Sequence, residues 1–592
     1  MPDRSSRYLE LMNAFQSGQL DRRSLMRRAA AVGVAAPVAA ALTRFDASAQ
    51  ESDATGPSIT REEYLAQVRE EYPIPEDAVA GGTIVWADIS DISTANVILA
   101  ADSPTLDVLG LVFETLWTTN VLEPEYVPLL ADSWELAEDG LTYTFNLNQN
   151  ATWHDGTAFT SADVILSMDA QTSPDSGSSY QGSFVDTIAS YEAVDDHTVT
   201  VVATDVFPQL LFFGGAYVPM MAAHIWGEVP FADWLTHPGS TGEDPSLVVG
   251  TGPYTFQEWA ISETVTLARN EDYREQVPFI EEIVFQVWPD QSSALEALRA
   301  GEVDLIEGIP NADAQSVADA ETTDLVTYPT YSFNFYAYNL DPEKTQLFQD
   351  VEVRQALFYA LDRETLIDEI YFGYGEVANG SQPLLSPAYA PDEIETIYNY
   401  DPERAMQLLD QAGWVANADT GIREKDGVPL SFELMYTGGV ALYNQLVPYM
   451  QQAWSEIGVD MIPNPVDFGT VLIPAITENF DYQVVLLGFS WDITGDQGPM
   501  FSTDQYINGF NMMRYSNPEV DELFAAAQTE ADPEARRDIL IEAANLVNDD
   551  LPVGIIVFSE ARVGYSTRMQ NYQPTGNGGF LWNIDTTWLQ DA

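Results

Sequence analysis

Catalysis and metal binding need particular side chains at defined spacings, and this sequence offers few of them. Its four histidines, His154, His197, His224 and His237, form no HExxH and no pair at metal-ligand spacing. There is no GxSxG nucleophile elbow and no GxxxxGK[ST] phosphate cradle. Cysteine is absent, which removes disulfides, thiolate metal sites and thiol nucleophiles together. The 92 Asp and Glu residues could supply a general acid and base, but at that abundance any pairing is expected by chance. Asn417, Asp419 and Gly421 carry some of the oxygen spacing of a calcium loop. They lack its alternating acids and closing bidentate Glu, so a β-turn before the strand LSFEL is the better reading. No catalytic residue, metal site or cofactor is expected.

The acidic excess is itself informative. Against 92 acidic residues stand only 23 basic ones, a formal net charge of -69, with Lys344 and Lys425 the only lysines. A field of that sign excludes nucleic acid and anionic membrane surfaces as partners, since both require local positive charge. Such a surface fits life at high ionic strength, where salt screens self-repulsion, and fits equally a plain acidic exported protein. With 46% hydrophobic and 11% aromatic residues, the chain can still build large cores.

The N-terminus says where those cores work. Arg22 and Arg23 precede an Ala-rich apolar stretch, Ala29 to Leu42, and the small-residue site Ala47-Ser48-Ala49. This is the order of an export signal, and the paired arginines mark its twin-arginine form. Residues 1–49 are therefore expected to be a signal peptide, with the mature chain starting near Gln50. The apolar stretch is too short for a permanent membrane anchor. With no Cys there is no lipid attachment of that kind either. Removing 1–49 takes away 7 basic and 4 acidic residues, leaving 16 against 88, a net charge of -72.

Some 540 mature residues exceed one core, so two or more lobes are expected. Residues 50–80 are polar and Pro/Gly-punctuated, which reads as a linker. From Gly82 strands and helices alternate. GTIVWADI and YTFNL read as strands, and Thr160 with Asp163 reads as a capping box opening SADVILSMDA. SSALEALRA stops at Gly301 before the strand VDLI, and Asp401-Pro402 opens a helix that Gly413 ends. A helix over 442–457 carries Leu442, Leu446, Met450, Ala453, Trp454 and Ile457 on one face, and Pro448 within it should kink or split it. Strands DMIPNPV and DYQVVLLGF, helices DELFAAAQ and EARRDILIEAANLV, and the strand VGIIVF follow. The class is α/β.

Several words of this sequence stand in an order that belongs to a known family. VPLLADSWELAEDGLTYTFNLNQNATWHDGTAFTSADVILSM, from Val127 to Met168, resembles the identifying region of the extracellular solute-binding proteins of peptide-type ABC importers, the dipeptide- and oligopeptide-binding family. GTGPY at 250–254, RNEDY at 269–273, ALRAGEVDLI at 297–306, DVEVRQALFYALDRETLI at 350–367, GYGEVANG at 373–380, YNYDPERAMQLLDQAGW and YSNPEVDELF continue in register. The likeness runs from about Gly82 to the C-terminus. It departs from the family at Asn148, Gln149 and Asn150, where relatives carry basic residues. His154 reads as a satisfied partner within the WHDGT turn.

The resemblance implies a two-lobed periplasmic-binding-protein-like fold with a hinge and an enlarged, discontinuous N-terminal lobe. Lobe I would cover 81–330 and take back 555–592, and lobe II would cover 331–554. Peptide-binding members hold the ligand's α-ammonium with an Asp in a segment of the type GWxADYPDP. The matching segment here is Gly488 to Asp496, which puts Asp492 on the anchoring Asp, although Ile493-Thr494-Gly495-Asp496 replaces Tyr-Pro-Asp-Pro. A carboxylate suits a desolvated ammonium, and a cap on the turn after the strand is the other role open to it. Trp491 could stack on solute or sit in the core. The implied protein is an exported, non-enzymatic receptor, periplasmic or at the outer cell surface and expected to be monomeric. It would capture a peptide in an interlobe cleft and deliver it to an ABC permease and its ATPases. An oligosaccharide ligand is the alternative within the family, and a secreted hydrolase lies outside it.

Overall fold

The computed structural model describes residues 56–591, except 138, 179–180, 205–218, 507–508 and 531. The expected signal peptide lies outside the described residues. The described residues divide into two compact units, one running to Tyr328 and resuming at Ala561, the other Pro329–Glu560. The boundaries expected from sequence were 330 and 554.

The first unit begins with helix α1 (Arg61–Glu71), inside the segment read as a linker. The reading fails because α1 has an amphipathic contact too small to register as periodicity. Tyr64 is its one buried residue. Thr60 and Glu63 cap each other's backbone, and the Arg61 guanidinium grips Glu275 in a two-pronged pair at 2.9 and 2.8 Å.

Next come β1 (Thr83–Asp88) and α2 (Ser103–Leu109). Then β2 (Ala131–Leu136), β3 (Thr142–Leu147), α3 (Ser161–Thr172), β4 (Ile188–Asp195) and β5 (Thr198–Ala203) follow. β2 to β5 form an antiparallel sheet in the order β2-β3-β5-β4. In β3 and β5 every second residue is buried, the signature of a sheet with one face on a core. The Asp163 carboxylate accepts from the Thr160 N–H at 2.8 Å, closing the expected N-terminus of α3, and also from the Ala223 N–H at 2.7 Å.

The unit's main sheet uses β6 (Tyr254–Ala260), β7 (Thr264–Arg269), β8 (Glu282–Val287) and, after α4 (Gln291–Ala300), β9 (Leu305–Glu307). Its order is β9-β1-β8-β7-β6, with β1 parallel to both neighbours and β6 to β8 antiparallel. Gly301 ends α4 in the left-handed conformation, φ 75°, as its place after ALRA requires.

The chain leaves this unit along β10 (Thr323–Tyr338). The second unit adds α5 (Val351–Tyr359), α6 (Pro402–Gln411), β11 (Ser431–Thr437), α7 (Tyr443–Glu456), β12 (Asp460–Val466) and β13 (Val484–Ser490). Helices α8 (Pro518–Thr529) and α9 (Pro533–Asp550) precede β14 (Val553–Ser566), along which the chain returns. The sheet order is β12-β11-β13-β10-β14. Alternate residues of its strands enter two different cores. Tyr336, Tyr338, Leu434, Val484 and Leu486 lie in one, while Phe333, Phe335, Met435, Val485 and Leu487 lie in the other. A sheet covered on both faces follows from that period of two, and explains why DYQVVLLGF reads as a continuous apolar run.

Two details differ from expectation or refine it. Helix α7 runs through Pro448 without splitting, anchored on both sides by the buried Leu446, Val447, Met450 and Trp454. The Asn417 turn is a hairpin connection, in which the side-chain Oδ1 accepts from the Asp419 N–H at 2.8 Å.

Candidate functional site

The segment matched to the family's anchoring loop begins where β13 ends. β13 runs antiparallel to β10 with Ser490 opposite Ser332, and the Trp491 N–H continues the ladder to the Tyr331 carbonyl at 3.0 Å. Asp492 is therefore the first residue beyond a fixed strand end, and its Cα position is set by sheet pairing rather than by loop sequence.

A run of short turns then fixes its side chain. Asp492 Oδ1 accepts from the Thr494 N–H at 2.7 Å and from the Thr494 hydroxyl. Thr494 Oγ1 accepts from the Asp496 N–H at 3.2 Å, and Asp496 Oδ1 from the Gly498 N–H at 2.8 Å. Asp492 Oδ2 takes no hydrogen bond among the described residues, and the residue stays partly exposed. One oxygen is thus held by the turn and the other is open. Burial raises the Asp492 carboxyl above the ordinary carboxylate range against the pull of the Thr494 hydrogen bonds; Asp496 adds to the rise and Arg536 opposes it. A cation arriving at Oδ2 would relieve that desolvation.

Behind the loop lies a buried polar network that the sequence does not announce. Gln382 donates to the Gly495 carbonyl at 2.9 Å, Gln497 donates to the Ser381 carbonyl at 2.7 Å, and the Ser381 hydroxyl bonds Gln497. Arg536, from α9, donates to the Thr494 carbonyl at 3.1 Å and the Ala527 carbonyl at 3.0 Å. Apart from Ala527, 9 positions from Arg536, these partners sit 42 to 116 positions away in sequence, so no local spacing could have shown them.

Trp491 is placed as a core aromatic. It is 8% exposed, stacks on Phe333 with ring centroids 5.2 Å apart, and donates its Nε1–H to the Ser381 carbonyl at 3.0 Å. An open stacking face for solute is not what this packing offers; Trp491 instead braces the strand end that carries Asp492.

In the first unit the two family words WHDGT and GTGPY meet. The His154 Nδ1 accepts from the Gly250 N–H at 3.2 Å, its Nε2 lies 3.0 Å from the Gly252 carbonyl, and the His154 N–H donates to the Gly250 carbonyl at 2.9 Å. A Cβ at Gly250 would fall 1.8 Å from the Val112 carbonyl oxygen and one at Gly252 2.6 Å from that of Leu111. Both glycines serve close backbone approach, and His154 is held by that turn rather than by its own. Among the described residues no group of three or more His, Asp or Glu is arranged to hold a metal ion. No described helix is long and apolar enough to cross a membrane.

Two α/β units joined by two long strands, with a carboxylate displayed at a strand end, define the two-lobed periplasmic-binding-protein class. The chain belongs to the bacterial extracellular solute-binding proteins, family 5, whose pattern matches residues 125–510. It is 27% identical over 512 residues to the oligopeptide-binding protein AppA of Bacillus subtilis, covering 86% of this chain and 92% of that one. To the dipeptide-binding protein of Escherichia coli it is 26% identical over 510 residues, covering 81% and 90%. The structure of Bacillus subtilis AppA in complex with a nonapeptide superposes with a TM-score of 0.71 at 25% identity, covering 87% of this chain and all of that one.

Proposed function

We propose that this protein is an extracytoplasmic receptor that captures a peptide and delivers it to an ABC importer, with Asp492 receiving the peptide's α-ammonium. The observation that carries this reading is the divided carboxylate of Asp492: Oδ1 locked to Thr494, Oδ2 uncommitted at the end of β13. An ammonium brought to Oδ2 forms a charge-assisted hydrogen bond with a carboxylate whose orientation is already fixed, so little ordering cost remains. Trp491 supports the reading from beneath by holding the strand end. The names of the relatives, oligopeptide-binding and dipeptide-binding, point to the same ligand class.

The protein acts without turnover, as a monomer outside the cytoplasmic membrane, with a permease and ATPases as its partners there. The ligand is tested by denaturing purified protein and weighing what is released by mass spectrometry. Peptides are expected, whereas a released oligosaccharide would replace the peptide reading with the sugar reading. Export through the twin-arginine route rests on Arg22 and Arg23. Changing both to Lys keeps the charge and should leave precursor inside the cell; normal export of that variant would assign a different route.

A further inference from the structure

A cavity in the first unit has no part in the site above. It has a volume of about 450 Å³ and lies wholly within the first unit, between α1 and the segment 578–586. That volume is within the range of small-molecule sites. Tyr64, Leu65 and Tyr72 face it from α1 and its C-terminal cap, and Trp582 faces it from the opposite wall, with Tyr72 and Trp582 meeting edge to face at 5.0 Å.

The charges around it do not cancel. Glu275 is taken by Arg61, at 2.8 and 2.9 Å. Glu114 is taken by Arg274, at 2.6 and 3.0 Å, and by the Tyr273 hydroxyl at 2.9 Å. Arg69, exposed on α1, also lines the cavity and acts on Glu275 from its rim. Asp585 and Asp107 remain, and neither has a salt-bridge partner among the described residues. Burial, with Glu275 adding to it, pushes the Asp585 carboxyl up to about 7; Asp107 is pushed to about 7 by burial and by Glu307, Asp88 and Asp102. Asp107, Glu114, Glu275 and Asp585 stand against Arg61, Arg69 and Arg274, so one carboxylate of this aromatic-walled cavity is left for a cation to balance.

We propose that this cavity is a second ligand site that takes a small organic cation, its ammonium facing Asp585 and its apolar or aromatic body packed among Tyr64, Leu65, Tyr72 and Trp582. The proposal is independent of the role of Asp492, which belongs to the other unit. The site is built in part by α1, so it exists only when the segment before β1 is docked.

Benzylamine is a suitable probe and benzyl alcohol its uncharged counterpart. Calorimetric titration of the full-length protein in about 1 M NaCl, where the Debye length is ~3 Å, removes non-specific attraction to the acidic surface. Benzylamine is expected to bind at least about tenfold more tightly than benzyl alcohol, and Asp585→Asn to remove that preference, tenfold being ~1.4 kcal/mol. Asp585→Asn should leave binding of the copurified peptide unchanged. Equal binding of the two probes, no binding of benzylamine, or a preference for benzylamine kept in Asp585→Asn would each overturn the proposal. Should Asp585→Asn fail to fold, Leu65→Trp fills the cavity from α1. Benzylamine affinity retained in Leu65→Trp would overturn the proposal as well.

Discussion

The two units handle buried arginine in different ways. In the first unit guanidinium groups meet carboxylates: Arg274 grips Glu114, Arg61 grips Glu275, and Arg568 lies 3.2 Å from Asp304. In the second they chiefly meet backbone. Arg354 donates to the carbonyls of Phe348, Gln349 and Asp550, and Arg363 to those of Ala378 and Tyr398 while lying 4.4 Å over the Phe358 ring. Arg536 donates to two further carbonyls. The consequence is visible in their proton affinities. Arg274 is driven above the ordinary arginine value by Glu114 despite burial, whereas burial lowers Arg354 and Arg536 and brings Arg363 down to about 10. A guanidinium that ties loop carbonyls together works as a rigid cross-link, and one that neutralises an acid works as a counter-charge. Of the 16 basic residues from Gln50 onward, several thus lie inside, which leaves the surface acidic.

The largest expected effect separates these modes most clearly. Arg274→Met strands Glu114, 5% exposed at its side chain, and should cost ~3–5 kcal/mol in urea unfolding, the range for a buried pair broken on one side. Adding Glu114→Leu should recover most of it, because the stranded charge is then gone. Failure of the double variant to recover would mean that Glu114 matters for more than its pairing.

Arg363→Ala comes next. It leaves two buried carbonyls without donors, at ~1–3 kcal/mol each, so about 3 kcal/mol is expected. Arg363→Lys should recover little, since an ammonium cannot reach both the Ala378 and Tyr398 oxygens with a planar fork. No second-site substitution can rescue it as Glu114→Leu rescues Arg274→Met, because the partners are backbone.

The smallest effect is a matter of pH. Glu275 is buried, yet Arg61 and then Arg274 hold its carboxyl below the ordinary value of 4.5. A depressed folded-state pKa contributes stability that is present above the unfolded pKa and lost as pH falls through the folded value. Glu275→Gln should therefore cost about 2 kcal/mol near neutral pH, as for a hydrogen bond to a charged group, and converge on the wild type only once the pH has fallen below the lowered folded-state value. A difference that persists in acid would show that packing, not charge, sets its effect.

Sequence reading reached the elements whose ends are written locally. Asp401-Pro402 was read as a helix start and is one, while Asn517-Pro518 and Asp532-Pro533 cap in the same way the helices read only from DELFAAAQ and EARRDILIEAANLV. α1 was missed because it has a single buried residue, although Thr60 and Glu63 carry the capping-box spacing that could have revealed it. The buried arginines Arg354 and Arg363 were beyond reach because their partners are carbonyls, which every residue carries. His154 was legible as satisfied but not as the clasp on Gly250 and Gly252, 96 and 98 positions on. For the site, Asp492 was proposed through family resemblance alone. The burial of Trp491 and the supports from Ser381, Gln382, Gln497 and Arg536 depend on how β10, β13 and α9 pack, which no motif encodes.

The central claim is that Asp492 holds a peptide ammonium. Calorimetric titration of the copurified peptide into wild type, Asp492→Ala and Asp492→Asn tests it most directly. A buried ammonium deprived of its carboxylate loses roughly 2 to 5 kcal/mol. At ~1.4 kcal/mol per decade, that is on the order of 30-fold to several thousand-fold in affinity. Asp492→Asn should recover little, since it keeps the shape but not the charge. Loss of the Thr494 cap should cost Asp492→Ala only about 1 kcal/mol of unliganded stability. Affinity unchanged in Asp492→Ala would contradict the account.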